Sequence, residues 1–232
     1  TISTNGTITT AEVGGGSSTA GNVTLTGAVS LAGNTTIDTS SSGGTVGFTS
    51  TIDGAKTLTI TSGAGNVDIA STVGGTTAVS ALKINESSGT GTIAINNVGD
   101  GTPAAGVTGL TVLGNANTSL LTTDGTNYDF GGGITIGPDY SMVGSPLINS
   151  FTTAGNVSFL GNVTVDGTLT VNTSGGNISI AGNITSTGTD EVVSLSDGTG
   201  TGTITLGGTV TSGDITLIGC LLYTSPSPRD GW

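Results

Sequence analysis

TVGFTSTIDGAKTLTITSGAGNVDIASTVGGTTAVSALKINESSGTGTIAI, residues 45–95, returns without a gap as NVSFLGNVTVDGTLTVNTSGGNISIAGNITSTGTDEVVSLSDGTGTGTITL, residues 156–206. Val46, Phe48, Val67, Ile69, Ile93 and Ile95 of the first copy meet Val157, Phe159, Ile178, Ile180, Ile204 and Leu206 of the second. Ile52, Leu58, Ile60, Val73 and Ile84 meet Val163, Leu169, Val171, Ile184 and Leu195 in the same way. Apolar faces apolar at all of these positions, so the chain is a repeat protein and its fold is to be read from the period.

Inside each copy the apolar residues alternate with Thr, Ser and Asn in short bursts, as in VSF, LTI and ITL. Period two means extended strands with one face buried, and bursts this short do not make free-standing hairpins. The set of bursts recurs from Val46 to Val67, Val157 to Ile178, Ile2 to Val23 and Ile8 to Val29, always by the same step. Three short strands per circuit of about 21 residues is the plan of an all-β, right-handed parallel β-helix, in which each strand pairs with its counterpart one circuit away. The steps from Val67 to Ile93 and from Ile178 to Ile204 are longer by an equal amount, so both copies carry the same longer loop, near residues 73–82 and 184–193. Gly-Asn pairs punctuate the bends at Gly21-Asn22, Gly33-Asn34, Gly65-Asn66, Gly155-Asn156, Gly161-Asn162 and Gly182-Asn183. Left-handed backbone angles at the corners are the expected reason. The result is one domain over residues 1–219, with about ten circuits and a length of roughly 45–50 Å at the usual strand spacing.

Of the 232 residues 43 are Gly, aromatics make up 3% and charged residues 8%. Disorder calls for low hydrophobicity and dense charge, whereas here the mean hydropathy is +0.24 and the apolar residues are regular. Fifteen acids against three bases and no His give a net charge of −12. Nucleic acid is therefore a poor partner, because phosphate binding needs clustered Lys and Arg. No apolar run is long enough to span a bilayer. The chain opens on TISTNG with the repeat already under way, which is expected of a piece of a longer chain whose targeting segment lies upstream.

Catalytic chemistry is sparse. Residues 1–219 hold neither His nor Cys, the usual parts of nucleophilic triads and zinc sites. GGGITIGPD at residues 131–139 has the glycines of calcium-binding β-roll nonapeptides without their internal Asp. Asp190, Glu191 and Asp197 are the carboxylates a glycan lyase or hydrolase would use, although adjacent residues on a strand face opposite sides. Thr57-Leu58-Thr59 and Thr168-Leu169-Thr170 resemble the outward threonine ranks of ice-binding β-helices, yet Thr is also an ordinary outward strand residue. The expectation is no enzyme, no cofactor and no metal.

Residues 96–153 depart from the rule: the bursts continue at irregular spacing, most simply as wider rungs rather than a side loop, and the large side chains collect there. Tyr128, Phe130 and Tyr140 beside Asp129 and Asp139 are the candidate contact surface, since aromatic and carboxylate groups are what sugars and proteins commonly touch. The other reading is that a wider rung needs larger side chains to fill it. Burial of Tyr128 and Tyr140 separates the two.

The texture of residues 53–84, DGAKTLTITSGAGNVDIASTVGGTTAVSALKI, resembles the repeats of filamentous-haemagglutinin-like and autotransporter-passenger proteins of Gram-negative bacteria. The resemblance implies a large secreted or surface-attached β-helical exoprotein, often an adhesin, with a glycan or protein of a host or neighbouring cell as partner. It brings no catalytic residues with it. The chain's last residues differ: CLLYTSPSPRD, residues 220–230, resembles translated sequencing adapter, so 220–232 is expected to lie outside the fold as a non-native or disordered tail. Unpaired strand edges at either end of the coil imply end-to-end self-association.

Overall fold

The structure is a computed structural model and describes residues 1–9, 21–101, 106–143 and 148–223. Among the described residues every regular element is a β-strand and every strand pair is parallel. The strands form three sheets of eleven, nine and five members, each built by stacking strands from successive turns. The chain is a parallel β-solenoid of about nine turns, three strands to a turn and roughly 23 residues per turn. At the usual strand spacing it is about 40 Å long.

Inward residues stack in columns. In the nine-stranded sheet Val23, Val46, Val67, Ile93, Leu121, Tyr140, Val163 and Ile184 pair in register, turn upon turn. In the eleven-stranded sheet Ile37, Ile60, Ile84, Leu113, Ile136, Phe159, Ile180 and Leu206 do the same. The third face begins as single bridges, Ile52 to Val73 to Val98 to Tyr128, and then becomes the five-stranded sheet through Phe151, Val171 and Leu195. All of these side chains are buried. Burial of each is worth about 1.5–3 kcal/mol, which is the main term holding the turns together.

The spacings of the repeat are strand-pairing distances: Val46 pairs with Val67, Val157 with Ile178, Val67 with Ile93 and Ile178 with Ile204. The number of turns falls below ten because the middle of the chain uses longer circuits, as from Ile93 to its partner Leu121. The two copies do not occupy the same place in the coil. Residues 46–48 lie in the nine-stranded sheet, whereas their counterparts 157–159 lie in the eleven-stranded one. Leu58 and Ile60 are in the eleven-stranded sheet, and Leu169 and Val171 in the five-stranded one. The second copy is thus rotated by one face, and every matched apolar residue still points inward.

At the N-terminus the pairing differs from the simple circuit read in the sequence. Ile2–Thr9 is one continuous strand that covers two faces with a bulge between Thr4 and Gly6, and it pairs Ile2 with Val29 and Ile8 with Ile37. Val29–Asp38 crosses the same corner without a break, and the circuit from Ile2 to Val29 is longer than the next one from Val29 to Ile52. At the other end the expected tail is partly inside the fold. Cys220–Tyr223 is a strand that pairs in parallel with Thr203–Leu206; residues 224–232 lie outside the described residues.

Left-handed angles do occur at the corners, on glycines such as Gly43, Gly63 and Gly175, but not on the Gly-Asn pairs expected to supply them. Asn85 is the only non-glycine described at positive φ, so the Gly-Asn pairs do not serve left-handed angles. Their glycines stack. A Cβ on Gly44 would lie 2.1 Å from the Gly21 carbonyl oxygen, one on Gly65 2.1 Å from that of Gly44, and one on Gly91 2.0 Å from that of Gly65. Their asparagines add one more rung to the ladder. The side-chain oxygens of Asn22, Asn66, Asn156 and Asn183 accept the backbone N–H of Thr45, Thr92, Asn177 and Thr209 in the next turn, at 2.8–3.0 Å. Inside the corner, Thr39, Ser62 and Thr173 donate to the carbonyls of Gly44, Gly65 and Gly176 at 2.6 Å, which satisfies acceptors that the bend removes from the ladder.

Candidate functional site

The aromatic segment continues the coil: Leu121–Thr123, Asn127–Phe130, Tyr140–Met142 and Ile148–Thr153 each pair with strands above or below. Its circuit from Leu121 to Tyr140 is short and directly follows the long one from Ile93 to Leu121. Tyr128 stacks on Phe151 with ring centroids 4.9 Å apart, and Phe151 meets Tyr140 and Phe159 edge-on at 5.9 Å each. Tyr128 is 1% exposed, Tyr140 1% and Phe130 3%, which makes these rings core and not a contact surface. The hydroxyls of both tyrosines are satisfied within the coil. The Tyr128 oxygen accepts the Gly125 N–H at 2.8 Å, and the Tyr140 hydroxyl is 2.8 Å from the Thr123 hydroxyl. Burial holds both phenols far above their ordinary pKa, so neither ionises in the physiological range.

The two carboxylates of that candidate surface part company. Asp129 is buried beneath Gly99, Gly101 and Gly106, with its Oδ2 accepting the Gly101 N–H at 2.8 Å. A Cβ on Gly99 would lie 2.6 Å from the same oxygen, so the cover fits closely. Desolvation raises its pKa, and the nearby charge of Asp100 adds to the rise. Asp139 is exposed and performs the asparagine role at its corner, accepting the Asn162 N–H at 2.7 Å. Tyr128, Phe130, Tyr140, Asp129 and Asp139 therefore form no single outward surface. The GGGITIGPD stretch is an ordinary rung, Ile134–Ile136, ending at this corner.

The other carboxylates are dispersed as well. Glu191 and Asp197 are buried at opposite ends of the strand Val192–Ser196, and Asp190 is exposed. The extended chain between them spans roughly 20 Å, against about 5–9.5 Å for a glycosidase pair. Asp197 Oδ1 accepts the Gly200 N–H at 2.6 Å. The Thr-Leu-Thr pairs lie on different faces, Thr57–Thr59 in the eleven-stranded sheet and Thr168–Thr170 in the five-stranded one. Thr7, Thr36 and Thr59 pair in register on three successive rungs, and the next two rungs carry Lys83 and Val112. Among the described residues no three His, Cys, Asp or Glu come together to hold a metal ion. No helix among them is long and apolar enough to cross a membrane.

What the sequence reading missed is a trough on the outer face of the nine-stranded sheet. The register aligns Thr24, Gly47, Asp68, Ala94 and Thr122 as five successive outward positions. Gly47 and Ala94 leave room on either side of the Asp68 side chain. Two depressions of about 370 and 230 Å³ meet at Asp68. Their rims carry Thr45, Thr49, Asn66, Asn96 and Asp124, and Asn96 Nδ2 donates to Asp124 Oδ1 at 2.5 Å. The signal was present in VGF and IAI, where a small residue takes the outward place that Thr or Ser holds in VTL or VSF.

These features define the chain as a β-solenoid repeat protein with an acidic, hydroxyl-rich outer surface. No protein-family model, curated protein or solved structure matches it.

Proposed function

We propose that the chain is a non-catalytic structural and adhesive segment of a secreted or surface-attached exoprotein of the filamentous-haemagglutinin-like or autotransporter-passenger kind, in which the coil is a spacer that displays contact surfaces. The observation that carries this reading is the interchangeability of the faces: the same sequence unit enters the coil on two different faces with its apolar residues inward in both. A catalytic centre ties its residues to one face and one set of rungs. A unit that returns one face out of phase keeps the stacking and moves everything it carries outside, which suits a spacer. A location outside the cell or on its outer surface belongs to the same proposal. End-to-end association of strand edges belongs to the same proposal.

The test is incubation of the purified chain with a panel of acidic and neutral polysaccharides, with new reducing ends and unsaturated products as readout. The expected result is no product, together with adhesion of beads coated with the chain to cell-surface material. Release of product at a rate that scales with protein concentration overturns the reading.

A further inference from the structure

We propose that the loop joining Ile184–Ser186 to Val192–Ser196 is a calcium site, with the Glu191 carboxylate and the Ser186 hydroxyl as its side-chain ligands. In the turn below, residues 166–168 join Val165 to Leu169. Val165 pairs with Ser186 and Leu169 with Val193, so residues 187–192 cross the same corner with twice the chain. The ends of this loop are tied down, since Thr187 and Val192 donate their N–H groups to the carbonyls of Val165 and Gly167 at 3.0 and 2.8 Å. The surplus residues 187–190 are exposed, and Glu191 is buried beside them. Gly188 folds over its carboxylate: a Cβ there would lie 2.5 Å from Oε1. Gly213 of the next turn packs against the loop, where a Cβ would lie 2.4 Å from the Thr189 carbonyl oxygen.

The inner side of this corner carries two unpartnered oxygens. Ile184 and Val193 face the core, so alternation puts Ser186 and Glu191, each two residues from one of them, on that inner side. Ser186 Oγ and Glu191 Oε2 are both buried and have no hydrogen-bond partner. The other two buried acids among the described residues each hold a glycine N–H, Asp129 that of Gly101 and Asp197 that of Gly200, although Asp197 Oδ2 is also unpartnered. Neither lysine is near. Lys83, paired with Glu86, lies five rungs from Thr203–Leu206, and Lys56 precedes the strand one rung further. A carboxylate buried without donor or base is costly, and a bound cation removes that cost. Calcium suits the loop because it takes carboxylate, carbonyl and water oxygens in flexible geometry. No three acids converge on one point, so loop carbonyls and water complete the shell. Asp166 on the corner below, Asp190 in the loop and Asp214 on the strand above keep the local potential negative. With one buried carboxylate, the affinity falls at the weak end of calcium sites, with Kd about 0.1–1 mM.

This site goes beyond the adhesive reading and does not rest on it. The experiment is titration of the full chain with calcium chloride at about 0.15 M salt, where long-range attraction is screened, followed by backbone amide NMR, with magnesium chloride in parallel. Saturable shifts are expected at residues 186–192 and at their neighbours 165–168 and 211–214. Magnesium, which gives up its water reluctantly, is expected to bind about tenfold more weakly. Glu191→Gln keeps the shape of the side chain and removes its charge, so calcium should weaken by about tenfold or more, and Ser186→Ala should weaken it by about threefold. Asp68→Asn, exposed on a strand five rungs from Ile184–Ser186, leaves the affinity unchanged. Absence of a saturable shift in the loop overturns the inference. So does equal weakening by Asp68→Asn and Glu191→Gln, which marks general attraction to a net charge of −12. Calcium affinity retained by a folded Glu191→Gln overturns it as well. If that variant fails to fold, the position of the shifts in the parent and the affinity of Ser186→Ala decide: shifts elsewhere, or an unchanged affinity, overturn the site.

Discussion

Rungs 163–186 and rungs 121–159 are built on one ladder and filled in two ways. In the first, small β-branched residues such as Val163, Val165, Ile180 and Ile184 close the coil, and the circuits from Val157 to Ile178 and from Val163 to Ile184 are equal. In the second, a long circuit from Ile93 to Leu121 is followed by a short one to Tyr140 and an intermediate one to Val163, and Tyr128, Tyr140, Phe151 and Phe159 occupy the same inward columns. The backbone ladder tolerates this because hydrogen bonds between turns depend on register and not on side-chain volume. What must be kept at each rung is filled space, and the irregular turns fill theirs with rings.

The comparison breaks most visibly at Phe151, whose ring contacts Tyr128, Tyr140 and Phe159. Phe151→Ala is expected to cost about 3–5 kcal/mol, against about 0.5–1.5 kcal/mol for Ile180→Val in a regular rung. Urea unfolding followed by circular dichroism and tyrosine fluorescence measures both. Equal costs would mean that the rings pack no more tightly than the aliphatic columns. A loss confined to fluorescence, with the overall transition unmoved, would mean that the aromatic turns unfold as a separate unit.

A smaller effect belongs to the regular corners. Gly65→Ala places a methyl group 2.1 Å from the Gly44 carbonyl oxygen in the turn below, so the corner has to open. The expected cost is about 1–3 kcal/mol, as for overpacking elsewhere. Asn183→Ala in the same kind of corner removes an exposed acceptor for the Thr209 N–H and hydroxyl and is expected to cost about 0.5–1.5 kcal/mol. Reversal of that order in thermal melts would show that the asparagine ladder, and not the close approach of the glycines, sets corner stability.

Those corners also show where sequence reading stopped. The ladders of Val67, Ile93, Ile178 and Ile204 were legible because inward residues alternate with outward ones and the circuit length recurs. The face was not legible, since all three faces ask for the same inward residues, and a repeat that changes face between its two copies leaves the pattern intact. Ile2 and Val23 were spaced like partners but are not, because a strand that runs straight through a corner looks the same in sequence as one that bends. Asparagine after glycine fits either a left-handed angle or a side-chain ladder, and only backbone geometry separates them. The aromatic cluster was legible as a departure, whereas the trough depended on two missing side chains, Gly47 and Ala94, in a chain full of small residues.

The smallest effect compares an acid of the aromatic turns with one on an aliphatic rung elsewhere in the coil. Asp129 lies buried against the aromatic turns and its pKa is raised, chiefly by desolvation. A raised value means that the fold favours the protonated form, so its contribution to stability is full below the unfolded pKa of about 3.9 and is lost as pH rises through the folded value. Asp38, on a regular rung, has its pKa lowered because its Oδ1 accepts the Ser40 hydroxyl at 2.6 Å and the Ser40 N–H at 2.9 Å. Its contribution has the opposite sign, present above the unfolded pKa and lost as pH falls through the folded one. Asp129→Asn should therefore gain stability relative to the parent between pH 3 and pH 7, since Asn is neutral throughout and its amide oxygen can still accept the Gly101 N–H. Asp38→Asn should lose stability over the same interval. Urea midpoints of parent and variants at the two pH values measure both, and the titration of every other acid cancels in the difference. If the two variants shifted in the same direction, the cover formed by Gly99, Gly101 and Gly106 would not keep water from Asp129, and the contrast between the buried acid and the half-buried one would fail.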